Sequence, residues 1–302
     1  MRISTQNQTG DPNVLQLADV PKPAPGAGQV LVKVGAAGVN PVDLAVRAGY
    51  FKLLGEPPFT LGWDVAGIVE EVGDGVEFAR GDEVLGLVGF PGPGNAYAEY
   101  AVVEASEIVR KPAGLSVEEA AALPLVALTA WQALVGIAKL EAGQRVLIHR
   151  AAGGVGHLAV QIAKARGTYV IGTASAGKHD FVRGLGADEL IDYRTEDFTA
   201  IDPVDVAFDL VGGDYAERTA KVVKPGGLLV GAVGSNLGID IVRAAELGIR
   251  FEVVSVRPSP ADLAEVLGFK VTVEHALPLA DVAKAHELVA SGRTTGKVVL
   301  VP

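Results

Sequence analysis

The sequence predicts an α/β chain of two domains, a small β-rich one and a doubly wound parallel sheet. Three observations carry that expectation. Between Arg145 and Val256, short apolar runs alternate with stretches of helical composition, the grammar of a parallel sheet covered on both faces. The first hundred residues instead read as short strands punctuated by glycine and proline, which suits a small β-rich domain such as a partly open barrel. The length of 302 residues suggests two domains at about 150 residues each. Hydrophobic residues make up 49% of the chain and charged ones 21%, values that exclude a disordered or collagen-like polymer.

Taken in order, Val30–Val34 and Val65–Val72 read as strands, with Gly81-Asp82 and Pro91-Gly-Pro-Gly94 as turns. Ser116 before Val-Glu-Glu reads as a capped helix start with acids in its first turn. Ala120 to Ala138 carries no charge, but it holds Pro124, Thr129, Gln132 and Gly136 and has no flanking basic excess. It is expected to be a helix buried between the two domains rather than a membrane span. Strand Arg145–His149, a glycine cluster and helix His157–Arg166 follow. Further strands are expected at Tyr169–Thr173, Glu189–Tyr193, Val204–Val211, Leu228–Val233 and Phe251–Val256, with helices at Lys178–Leu185 and Tyr215–Val223. The tail after Pro258 ends in the apolar strand Lys297–Val301 and is too short to stand alone, so it is expected to pack back on the N-terminal domain. The expected domains are therefore 1–115 with 258–302, and 116–257.

Composition also bounds function. A net charge of −10 repels phosphate backbones and anionic lipid heads, so neither nucleic acid nor membrane is an expected partner. The absence of cysteine removes disulfides, thiolate nucleophiles, cysteine-rich zinc sites and iron–sulfur clusters. The five histidines, at 149, 157, 179, 275 and 286, show no ligand spacing, so no metal is expected. Met1 to Gly10 has no apolar signal core, and the expected location is the cytoplasm.

The strand at 145–149 runs into Ala151-Ala152-Gly153-Gly154-Val155-Gly156 and then directly into a helix. This is the dinucleotide fingerprint with alanine in the first glycine's place. Gly153 would let backbone approach a pyrophosphate, and Gly156 would let helix and strand pack closely. A tight βα turn with no ligand is the plainer reading, and the flanking strand and helix argue against it. NAD sites place an acid about 20 residues after the glycines, at the end of the second strand. Here that end reads Gly172-Thr-Ala-Ser-Ala-Gly-Lys178-His179, with no acid. Ser175 and Lys178 suit a 2′-phosphate instead. Lys178 alone could equally be a solvated lysine; the missing acid favours NADPH over NADH.

These residues, with Ala37-Gly-Val-Asn-Pro-Val-Asp43, Leu61-Gly-Trp-Asp-Val-Ala-Gly67, Gly81-Asp-Glu-Val84, Tyr97-Ala-Glu-Tyr100, Ala122-Leu-Pro-Leu125, Leu128-Thr-Ala-Trp-Gln-Ala-Leu134, Asp209-Leu-Val-Gly-Gly213, Lys224-Pro-Gly-Gly227 and Gly292-Arg-Thr-Thr-Gly-Lys297, span nearly the whole chain. In that order they resemble the medium-chain dehydrogenase/reductase superfamily, and within it the zinc-independent, zeta-crystallin-like quinone oxidoreductase branch. The resemblance implies a GroES-like catalytic domain made from both chain ends, an inserted Rossmann domain, and a cofactor in the cleft between them. It implies that Asn40 and Thr129 approach the nicotinamide, that Lys178 and Tyr193 meet the 2′-phosphate, and that Lys297 lies near the phosphates. Val233, Gly234, Ser235, Val254 and Ser255 would complete the cofactor wall, and the strand near Phe251–Val256 would pair two copies into a homodimer.

The chain departs from the pattern in three places. Zinc relatives carry Cys, His and Glu where this chain has Asn40 and Gly62-Trp63-Asp64. Arg150 stands where relatives often have glycine, and it could contact a phosphate or clash with one. The segment Asp262–Lys270 is several residues shorter than usual, which could reshape the substrate side.

Without a Lewis acid, hydride transfer favours acceptors that spread charge themselves, such as quinones and conjugated enones. The expected activity is therefore NADPH-dependent reduction of a quinone or an α,β-unsaturated carbonyl. Asn40, Asp43, Tyr50, Asp64 and Tyr97 are the candidate polar groups, with Phe51 and Trp63 as apolar walls. Asp43 and Asp64 could instead anchor loop N–H groups, Tyr97 could be structural, and no obligatory acid or base stands out. Three alternatives stay open. An enone or enoyl double-bond reductase shares the same residues. A non-catalytic NADPH-binding protein would bind cofactor but oxidise none of it with acceptor. A methyltransferase would usually want the acid that is missing after the second strand.

Overall fold

A computed structural model describes residues 1–232 and 237–302 of the chain, so the expectations placed on Val233, Gly234 and Ser235 lie outside the described residues. Two compact units emerge: Met1–Leu128 with Arg257–Pro302, and Thr129–Val256.

The first unit opens with β1 (Arg2–Gln6), β2 (Gln16–Asp19), β3 (Gln29–Val39), α1 (Pro41–Ala48), β4 (Phe59–Thr60), β5 (Asp64–Val72), β6 (Glu83–Leu87), β7 (Tyr100–Glu104) and β8 (Ile108–Arg110), followed by α2 (Val117–Ala122) and α3 (Pro124–Trp131), the last three residues of which begin the second unit. The second unit holds β9 (Arg145–Ile148), α4 (Gly156–Ala165), β10 (Tyr169–Ala174), α5 (His179–Gly184), β11 (Glu189–Asp192), β12 (Val204–Asp209), α6 (Asp214–Ala220), β13 (Val223–Gly231), α7 (Ile241–Glu246) and β14 (Arg250–Val253). The chain returns to the first unit with α8 (Pro260–Val266), β15 (Val273–Pro278), α9 (Val282–Ala290) and β16 (Lys297–Val301).

The first unit is built on a sheet of order β15-β16-β3-β5-β6-β8, with β7 also on β3 and a small β2-β1-β4 sheet beside it. As the tail's apolar pattern implies, β16 pairs antiparallel with β3, Val298 facing Val39. The unit runs past the expected boundary at 115. Its extra residues form α2, where Ser116 accepts from Glu119 N at 3.1 Å and Glu119 returns a bond to Ser116 N at 2.9 Å. Val117 Cγ2 lies 2.5 Å from where a Cβ on Gly35 would sit. This close packing on β3 ties the segment to the sheet.

The second unit is a parallel sheet of order β11-β10-β9-β12-β13-β14, the classic strand sequence of a Rossmann fold. Leu147, Ile171, Ala207 and Leu229, fully buried from successive strands, form a core with Phe198, Phe251 and Val222. Each buried aliphatic contributes about 1.5–3 kcal/mol of hydrophobic stabilisation. The apolar stretch at 120–138 is not one helix: α2 ends at Ala122, α3 begins at Pro124, and a wider-wound turn follows over Gln132–Ile137. No helix among the described residues is long and apolar enough to cross a membrane.

Candidate active site

In the first unit, four of the residues singled out from sequence converge in the core. Pro41 starts α1 immediately after Asn40, and the Asp43 carboxylate reaches back to accept from Asn40 N at 2.8 Å and from Gly62 N at 3.1 Å. Asp64, at the head of β5, accepts from Asn40 Nδ2 at 2.8 Å and from Leu125 N, near the start of α3, at 2.7 Å. The positive end of a helix favours such a carboxylate. Lys297, from β16, donates to Val39 O at 2.9 Å and to Asn40 Oδ1, with Asp64 Oδ2 3.5 Å away. Asn40, Asp43 and Asp64 are fully buried and Lys297 nearly so.

The site's electrostatics follow from this burial. Desolvation pushes the Asp43 carboxyl up to about 7, against the pull of the two backbone N–H bonds. It raises Asp64 too, opposed by the Lys297 ammonium and the bonds from Asn40 and Leu125. Burial lowers Lys297, opposed by the two carboxylates. Close approach is possible because Gly38 on β3 is bare: a Cβ there would lie 2.6 Å from Asp64 Oδ2 and from Ala121 O. At the positions where the resemblance puts zinc ligands, this chain therefore holds its own buried cation, already bonded to the carboxamide and paired with the carboxylate. Its donors are spent on protein acceptors, so Lys297 does not stand ready for a phosphate as the resemblance implied.

The other candidates differ in how they stand to that cluster. Tyr50 follows α1 and is 83% exposed. Trp63, expected as a substrate wall, is fully buried; it donates to Gly92 O at 2.6 Å and meets Phe90 edge-on. It can be core because its one polar atom is met by a backbone carbonyl, so burial leaves no donor unsatisfied. Tyr97 is also fully buried, its ring edge-on to His286 and its hydroxyl beside Asp43; burial first, then the Asp43 carboxylate, holds that hydroxyl well above the usual phenol range. Sequence reading missed the buried contact of Arg47 with His286 Nδ1, 3.3 Å. At a separation of 239 positions, no local pattern could have revealed it.

In the second unit the glycine loop leaves β9 and enters α4 with no side-chain cap. Gly153 N donates to Arg150 O at 2.8 Å and His157 N to Gly153 O at 3.0 Å. Among the described residues, nothing accepts from the N–H groups of Gly154, Val155 and Gly156. Gly156 must be bare, since a Cβ would lie 2.2 Å from Arg150 O, and at Gly153 a Cβ would come within 3.2 Å of the same oxygen. A bare loop with unspent donors at a helix start fits a pyrophosphate. Ala152 is buried within the loop.

Ser175 follows β10 and Lys178 closes the turn after it, its N–H bonded to Ser175 O at 2.8 Å. Ala174 pairs with Asp192, so Tyr193, 44% exposed, follows the end of the neighbouring strand, with Arg194 5.8 Å from its ring centroid. Asp192, next to Tyr193 in sequence, is turned inward and accepts from Arg194 N at 3.1 Å. These residues fit a 2′-phosphorylated dinucleotide. Thr129 is buried in α3, and Val254 N bonds Gly231 O at 2.9 Å with Ser255 next in the chain.

The chain matches two family models, an alcohol dehydrogenase GroES-like domain over residues 26–113 and a zinc-binding dehydrogenase over residues 185–300. It is 37% identical to a 2-methylene-furan-3-one reductase of Solanum lycopersicum, covering 100% of this chain and 79% of that one. It is 34% identical to a quinone oxidoreductase of Mus musculus, covering 100% and 98%. Among solved structures, the quinone oxidoreductase from Coxiella burnetii superposes with a TM-score of 0.95 at 37% identity, covering 100% of this chain and 99% of that one. The Escherichia coli quinone oxidoreductase complexed with NADPH gives 0.90 at 30%, covering 100% of both.

Proposed function

This chain belongs to the zinc-independent quinone oxidoreductase branch of the medium-chain dehydrogenase/reductase superfamily, and we propose from that premise how its own residues serve an NADPH-dependent reduction. The acceptor is a quinone or an α,β-unsaturated carbonyl, taken to its dihydro form with one hydride and one proton from solvent. The observation that carries this reading is the Lys297 ammonium lodged between Asn40 and Asp64. The residues that would have to hold a Lewis acid instead hold each other, so the acceptor must delocalise the incoming charge itself. Relatives named for alkenal, haloacrylate and quinone reduction support the same class.

Bound NADPH supplies the hydride. The free N–H groups of Gly154, Val155 and Gly156 bind its pyrophosphate, while Ser175, Lys178 and Tyr193 hold the 2′-phosphate. Asn40, with both ends of its carboxamide fixed by Lys297 and Asp64, is a rigid polar group for orienting the nicotinamide. Two copies pair through β14, a reading supported by its place at the end of the sheet order and by the exposure of Val253, Ile241 and Val242. The acidic, cysteine-free composition supports action in the cytoplasm. NADPH oxidation followed at 340 nm with 9,10-phenanthrenequinone and with an aliphatic enone, NADH in parallel, tests the activity. Acceptor-dependent oxidation with NADPH preferred is expected; cofactor binding without oxidation by either acceptor would overturn it.

A further inference from the structure

Arg150 is held at φ +50° at the mouth of the glycine loop, a conformation that glycine adopts freely and arginine does not. Its backbone is pinned on both sides. Its N–H donates to Thr173 Oγ1 at 3.3 Å, and its carbonyl accepts from Gly153 N at 2.8 Å. Thr173 Oγ1 in turn meets His149 Nδ1 at 3.1 Å, and His149 Nε2 meets Thr219 Oγ1 at 2.8 Å. The Thr219 hydroxyl donates to Tyr215 O at 2.6 Å. That last bond sets the direction of the chain: Nε2 carries the imidazole proton and Nδ1 accepts from Thr173. A buried network therefore fixes the backbone of an exposed side chain. Among the described residues the Arg150 guanidinium has no hydrogen bond or ion pair.

Position says what the free guanidinium can reach. Arg150 Cβ lies 3.9 Å from where a Cβ on Gly153 would sit, so the side chain leaves from the bare face of the loop. Ile148 pairs with Gly172, which brings Arg150 level with Ala174, the residue before Ser175. The pyrophosphate is already served by the three unspent N–H groups and the helix start. What lacks a fork-shaped donor is the group beyond the end of β10, where the chain has no acid. We propose that Arg150 is a specificity arm that binds the cofactor's 2′-phosphate through charge-assisted hydrogen bonds. This rests on the NADPH reading above and adds to it a residue at which glycine would have been the easier choice.

The test is equilibrium binding, by titration calorimetry, of NADPH, NADH, 2′,5′-ADP and ADP-ribose to the full chain and to R150G and R150K. Glycine suits φ +50°, so R150G should melt no lower than the parent. In R150G, NADPH and 2′,5′-ADP should bind about tenfold to a hundredfold more weakly, with NADH and ADP-ribose unchanged and R150K recovering part of the loss. Unchanged or tighter NADPH binding by R150G overturns the proposal. So does an equal loss for ADP-ribose, which would move the guanidinium to the pyrophosphate. If the parent itself binds NADH as tightly as NADPH, the cofactor reading fails first and takes this arm with it.

Discussion

Lys297 shows what a single residue contributes and how far sequence can see it. An ammonium this deeply buried is stable only because Asp64, Asn40 and Val39 O surround it. Removing one partner of a buried pair leaves the other charge uncompensated, which costs about 3–5 kcal/mol. Lys297→Met should therefore lower the urea midpoint by that equivalent, and the double variant with Asp64→Asn should recover much of it. A loss below about 1 kcal/mol in the single variant would mean that Asp64 is satisfied without the ammonium. From sequence, the resemblance singled out Asn40 and Lys297, and Asn40, Asp43 and Asp64 stood as candidate polar groups of the substrate site. Their partnership was not legible, because Asn40 and Lys297 lie 257 positions apart and spacing carries no signal over that range. Lys297 was accordingly read as a phosphate contact when the fold spends it internally.

Elements were more legible than their pairings. The β/α alternation announced β9 to β14 because buried parallel strands are continuous apolar runs with helices between them. Two-residue β4 and alternating β15 lacked such runs, and the break between α2 and α3 at Leu123 was hidden because its neighbours are all apolar. The strand expected at Phe251–Val256 is shorter, ending at Val253. Phe251 there faces the core at 8% exposure, and Val253, 43% exposed, is the apolar residue left outward. An edge strand with unpaired backbone groups invites a partner. If β14 pairs two copies, Val253→Lys should convert the chain from dimer to monomer in sedimentation at micromolar concentration, with unchanged NADPH affinity. A variant that stays dimeric would place the contact elsewhere.

The molecule as a whole should carry the signature of its buried titratable groups in its stability against pH. His149 and His286 are held neutral by burial, each lowered to about 3, so their contribution is lost as pH falls below about 6.5, where the unfolded chain takes up protons. Asp43 acts in the opposite direction. Its folded carboxyl is raised from 3.8 to about 7, so the native state keeps a proton that the unfolded chain has released. The associated stability is complete below about pH 4 and drains away as pH rises through 7, by up to about 1.4 kcal/mol per pH unit. The parent's profile mixes these slopes, and Asp43→Asn separates them. Asparagine offers one acceptor to the N–H groups of Asn40 and Gly62, so the variant begins with a fixed offset that does not depend on pH. Against that offset, the melting temperature of Asp43→Asn should gain on the parent steadily from pH 4.5 to 7 and level off above. A gap that stays constant across the range would mean that Asp43 is already ionised at pH 4.5, and that the N–H bonds from Asn40 and Gly62 and the charge of Lys297 outweigh its burial.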